Sequence, residues 1–125
     1  MMGLRALLAV ATDAVALARD IVVDRTPGTV VAKGDRDMTS ETDIAVERAV
    51  RRFLALRTPE IGLLGEEEGL TAGSSDELTW VLDPIDGTAN YVRGVPLYAI
   101  SLGLVSGNSP VVGVVEIPVL SRTYS

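Results

Sequence analysis

Apolar residues recur at helical spacing from the start of the chain. Leu4, Leu8, Ala11, Val15, Ala18 and Val22 share one side of a 3.6-residue period, with Asp13, Arg19 and Asp20 at polar positions. This predicts an amphipathic helix packed on a core. Arg5 followed by Ala6-Leu7-Leu8-Ala9-Val10-Ala11 has the outline of a secretion signal, but Asp13 interrupts it and the helix accounts for the whole segment. A second helix carries its apolar stripe on Val46, Ala49, Val50, Phe53 and Leu54. Glu47, Arg48, Arg51 and Arg52 are predicted to face water, and Thr58-Pro59 ends the helix. Residues 24–38, with Pro27, Gly28 and Gly34, read as the loop between the two.

The period then changes. Residues 61–64 form a short apolar run suited to a buried strand, 69–75 a flexible excursion containing glycine and serine, and 79–82 a second strand. Residues 90–96 read as a loop with Arg93, Gly94 and Pro96. Longer strands at 99–106 and 111–117 flank Gly107-Asn108-Ser109-Pro110, a hairpin connection rich in turn formers. Residues 123–125 begin another strand, whose edge would stay unpaired if the domain stopped there, so a second half is expected to follow. The order predicts an α+β fold, with two N-terminal helices on one face of a mainly antiparallel sheet.

The chain has 125 residues, 47% of them hydrophobic, enough for one core and one domain or part of one. Its net charge is −6, and ten of its eleven basic residues are arginine, with no basic stripe to track phosphates. Nucleic acid is therefore not the expected partner. No apolar run approaches the ~20 residues that cross a bilayer as a helix. Cysteine and histidine are both absent, which removes disulfides, thiol nucleophiles and zinc–sulfur sites.

What remains for chemistry is carboxylate. Asp83-Pro84-Ile85-Asp86-Gly87-Thr88-Ala89-Asn90 follows the apolar run Trp80-Val81-Leu82, and Gly65-Glu66-Glu67-Glu68 lies upstream at the end of another strand. Pro84 fixes φ between the two aspartates and Gly87 frees the backbone where the chain turns, so both acids can point to one place. Two carboxylates ~4–5 Å apart repel by roughly 3–4 kcal/mol at an effective dielectric near 20, which protonation or a cation must relieve. Hard oxygen ligands without histidine or cysteine select Mg²⁺ or Mn²⁺ over zinc or copper. The plainer alternative is that Asp83 and Asp86 cap a turn while the glutamates are solvated.

With these motifs in order, the chain resembles the inositol monophosphatase family of Mg²⁺-dependent, typically lithium-sensitive phosphatases. The segment from Trp80 to Tyr91 looks like the family signature D-P-[ILV]-D-G-T-x-N-[FY] behind an apolar strand. Gly65-Glu66-Glu67 is similar to its G-E-E segment, and Thr39-Ser40-Glu41-Thr42-Asp43 to its acidic helix start. The resemblance implies that residues 1–125 are the N-terminal, metal-binding part of a layered α/β sugar-phosphatase-type fold. It implies that Glu66, Asp83, Asp86 and the main-chain carbonyl of Ile85 hold Mg²⁺, with Mn²⁺ a possible substitute. Asp43 and Thr88 would orient and deprotonate a metal-activated water, with Glu66 also counted in the catalytic set. The amides of Gly87 and Thr88 would receive the phosphate. Lys33 stands where the family often has a lysine near the site. A homodimer in the cytoplasm, acting on a small phosphorylated metabolite, completes what the family suggests.

Each assignment has a structural alternative. Asp43 three residues after Ser40 also fits a capping box, Thr88 could start a short helix, and a lone Lys33 in a Gly-rich loop could be solvated. Glu67 would support Glu66 without touching metal, and Glu68 would face water. The family's later W-D-x-A-[AG]-G segment is absent, since Trp80 is the sole tryptophan and Val81 follows it. Ala89 and Glu68 also stand where threonine and serine are frequent. The substrate therefore stays open among an inositol 1-phosphate-like ester, histidinol phosphate, fructose 1,6-bisphosphate and adenosine bisphosphate. A non-catalytic metal-binding or dimerisation module is the other reading. A covalent D-x-D-G-T phosphatase does not fit, because two residues separate the acids, and no G-x-x-x-x-G-K-[ST] loop occurs.

Overall fold

A computed structural model describes residues 3–24, 30–33, 37–74, 77–86, 99–118 and 122–125, and the side chains within 3–23, 41–74, 77–83, 99–118 and 123–125. Helix α1 runs Leu4–Asp24, strands β1 and β2 are Val30–Lys33 and Asp37–Ser40, and helix α2 is Glu41–Arg57. Strands β3 (Gly62–Gly65), β4 (Gly69–Thr71), β5 (Leu78–Asp86), β6 (Ala99–Ser106), β7 (Ser109–Ile117) and β8 (Arg122–Tyr124) follow.

The last six strands form one sheet in the order β4-β3-β5-β6-β7-β8. Only β3 and β5 run parallel; every other neighbouring pair is antiparallel. Both helices lie on one face, as expected: α1 packs on β6 and β7, α2 packs on β3 and β5, and the helices pack on each other. The register explains how that face is filled. Leu63 pairs with Trp80, Trp80 with Leu104, Leu82 with Leu102, and Leu102 with Val114, and all are buried. The alternate positions stay open: Leu64 and Val81 are cross-strand partners on the other face, 44% and 38% exposed.

The helical stripes are close to those predicted. Leu7, Val10, Ala11, Ala14, Val15, Ala18 and Val22 of α1 are buried against Val46, Val50 and Leu54 of α2 and the sheet. Leu4 is instead 59% exposed, because packing begins one turn later and Leu4 borders an open groove with Val111 and Val112. The expected end of α2 holds. Thr58 is fully buried there; its hydroxyl donates to the carbonyl of Leu54 at 2.9 Å and accepts from the Trp80 indole at 3.0 Å. A buried indole N–H requires such a partner.

Three expectations need correction. Residues 24–38 are not all loop, since β1 and β2 pair as a separate antiparallel hairpin from Val30↔Ser40 to Lys33↔Asp37. The excursion at 69–75 contains β4, paired with β3 through Leu64↔Leu70. Most consequentially, Glu47 and Arg51 do not face water. Glu47 is fully buried and the Arg51 side chain is 16% exposed, whereas Arg48 and Arg52 are exposed as predicted. The hairpin at the other end of the chain is tighter than expected. Ser106 pairs with Ser109, so only Gly107 and Asn108 turn, with Gly107 at φ +60°.

Candidate active site

The parallel pair β3 and β5 sets the position of two acids. Gly65 and Leu82 are the last partners of that ladder; Glu66, the first residue of the turn after β3, and Asp83, within β5, each follow directly on them. That end of neighbouring parallel strands is where ligands of α/β sheets are bound. Glu66 is exposed, Asp83 is half-buried, and both have interaction partners.

Strand β5 is irregular at the same point. Asp83 pairs with Ser101 and Asp86 with Ala99, so three steps along β5 match two along β6. This one-residue bulge falls at Pro84-Ile85, where proline cannot donate to the ladder. Three steps of regular strand would put Asp83 and Asp86 in opposite phases of the ladder. The bulge puts their backbone positions in the same phase, since Ser101 and Ala99 are alternate residues of one strand. Ile85 lies within the bulged strand backbone.

Asp43 occupies the first turn of α2, directly after β2, and its side chain is 2% exposed. It is bonded within the protein, as both the catalytic and the capping readings require. Lys33 ends β1 opposite Asp37. Gly87 and Thr88, the side chains of Lys33, Ile85 and Asp86, and the loop at 90–96 lie outside the described residues. Among the described residues, no three acids are gathered closely enough to hold a metal ion.

The sequence missed what holds the glutamate turn. The Glu47 carboxylate accepts the Glu67 N–H on Oε1 at 2.9 Å and the Glu68 N–H on Oε2 at 2.7 Å. Arg51, one helical turn on, donates Nη2 to Glu47 Oε2 at 3.2 Å and to the Gly69 carbonyl at 2.6 Å. Its Nη1 reaches Thr71 Oγ1 at 2.7 Å and the Leu63 carbonyl at 3.4 Å. One i,i+4 pair on α2 thus satisfies donors and acceptors on both sides of the turn between β3 and β4. Burying this charge is tolerable because it is both paired and hydrogen-bonded. The available signal was a Glu-Arg pair at i,i+4 beside the apolar stripe, which a helical wheel alone leaves on either side of the boundary. Glu68 does face solvent, where its Oε1 meets Arg48 Nε at 3.1 Å.

Comparison with known proteins gives the family and the fold. The model of the inositol monophosphatase family matches residues 4–125. Inositol monophosphatase 1 of Solanum lycopersicum is 38% identical over 128 residues, covering 98% of this chain and 47% of that protein. The extragenic suppressor protein suhB of Bartonella henselae superposes with a TM-score of 0.91 at 30% identity, over 94% of this chain and 46% of that one. An IMPase/NADP phosphatase, solved as a complex with Mg²⁺ and phosphate, superposes with a TM-score of 0.83 at 25% identity, over 97% and 47% of the two chains. The chain spans about half the length of these relatives. With nearly every residue inside the family match and the fold shared, the chain belongs to the inositol monophosphatase family.

Proposed function

We propose that the protein is a Mg²⁺-dependent phosphatase that hydrolyses a small phosphate monoester of the inositol 1-phosphate kind. The observation that carries the reading is the strand register in which Glu66 and Asp83 directly follow the last ladder pair of β3 and β5, next to the bulge between Asp83 and Asp86. The donor set suits the ion: every candidate ligand is a hard oxygen, from Glu66, Asp83, Asp86 and the Ile85 carbonyl. When bound, such a cation makes water a better nucleophile at neutral pH, polarises phosphoryl oxygens and stabilises the leaving alkoxide.

The chain's own residues have the remaining roles. Asp43 and Thr88 orient the attacking water and accept its proton. The amides of Gly87 and Thr88 receive the phosphate, and Lys33 adds positive charge nearby. Water attacks phosphorus and gives its proton through Thr88 to the Asp43 carboxylate, the phosphorus–oxygen ester bond breaks, and the alkoxide takes a proton from solvent to leave as the alcohol. The reading extends to a homodimer in the cytoplasm. The solved relative holding Mg²⁺ and phosphate supports the choice of ion, and that protein is itself described as an IMPase/NADP phosphatase.

The test is Mg²⁺-dependent phosphate release from inositol 1-phosphate, histidinol phosphate, fructose 1,6-bisphosphate and adenosine 3′,5′-bisphosphate. It is run on these 125 residues and on the protein at its full natural length. Release by the full-length protein is the expected result and names the substrate. No release from any ester by folded, Mg²⁺-binding protein overturns the reading in favour of a non-catalytic metal-binding or dimerisation module.

A further inference from the structure

Glu66 sits between two residues that one buried side chain controls. On one side is Gly65, where a Cβ would lie 2.5 Å from the Glu47 carboxyl carbon; only glycine lets that carboxylate come so close behind the end of β3. On the other side is Glu67, whose N–H ends on Glu47 Oε1, followed by Glu68, whose N–H ends on Oε2. Each carboxylate oxygen takes a different amide, which fixes the plane of the turn as well as its distance. The charge needed for this sits next to the acid cluster and would add to its repulsion, but Arg51 neutralises it at 3.2 Å.

We propose that Glu47 is a positioning residue for the phosphatase reaction. Held by Arg51, it sets the backbone that carries Glu66 and thereby the affinity of the site for its cation. The inference rests on the reading of Glu66 as a cation ligand. A partner that orients a metal-binding carboxylate typically contributes 10- to 100-fold in metal affinity.

The test uses the full-length protein. In Glu47→Gln one oxygen is replaced by an NH₂ group that faces an N–H, so one of the two amides loses its acceptor. Hydrogen exchange at that amide, Glu67 or Glu68, should speed up about tenfold, the loss of one ordinary hydrogen bond. Mg²⁺ affinity measured by calorimetry should fall roughly 10- to 100-fold, with a much smaller change in kcat at saturating Mg²⁺. Val50→Ala, which opens the core beside the same helix without touching the turn, should lower stability and leave Mg²⁺ affinity unchanged. Should Glu47→Gln fail to fold, Gly65→Ala reaches the same turn with Glu47 in place, and its Cβ should weaken Mg²⁺ binding over the same range. Unchanged Mg²⁺ affinity in the folded variant, while Glu66→Gln loses it, overturns the positioning role and leaves the metal reading standing. Unchanged affinity in Glu66→Gln overturns the metal reading, and this inference with it.

Discussion

The Thr58 hydroxyl accepts from the Trp80 indole and donates to the Leu54 carbonyl, inside the core. Thr58→Val keeps the shape and strands the indole N–H, so urea denaturation should show a loss of about 1–3 kcal/mol. Thr58→Ser should restore most of it. At the site the same logic of retained shape applies to charge: Asp83→Asn in the full-length protein should abolish Mg²⁺-dependent phosphate release with the far-UV dichroism unchanged. Wild-type turnover would remove Asp83 from the ligand set. These residues differ in how legible they were. Asp83 and Asp86 announce themselves because proline, glycine and the two acids are adjacent in sequence. Glu47 was placed on the wrong side because its partners, the amides of Glu67 and Glu68, lie twenty and twenty-one residues away and nothing local marks them.

Among the elements, length decided what the sequence could reveal. Helices α1 and α2, with 21 and 17 residues, repeat their pattern over several turns and were readable. Strands β1 and β4, with four and three residues, offer too few positions for an alternation to stand out. The parallel pairing of β3 and β5 was likewise hidden, and its last pair, Gly65↔Leu82, is the one that Glu66 and Asp83 follow. The β6–β7 hairpin was readable from its turn residues, although the turn is two residues long and the ladder resumes at Ser109. Gly107 has a left-handed φ of +60° and open space around it. Gly107→Ala should therefore cost roughly 1–2 kcal/mol from backbone strain alone. Gly107→Asn, a residue that tolerates this conformation, should cost measurably less in the same thermal melt.

For the whole molecule, burial is one-sided among the described residues. Every buried sheet residue named above belongs to the face that α1 and α2 cover, while Leu64 and Val81 are adjacent and partly exposed on the other. Neighbouring exposed apolar side chains on a flat sheet attract apolar probes and neighbouring molecules. The 125-residue chain should bind a fluorescent apolar dye, and Leu64→Thr with Val81→Thr should reduce both the dye signal and concentration-dependent light scattering. Equal signals from both proteins would show that this face is not what the dye finds. Packing α1 on β6 and β7 joins segments far apart in the sequence. On a ribosome adding about 5–20 residues per second, the α2 part of the seat of α1 follows within seconds, whereas the β6–β7 part is complete only after roughly ninety further residues, a delay on the order of 5–20 s. Until then the apolar stripe of Leu7, Val10, Val15 and Val22 can be covered only where α2 reaches it.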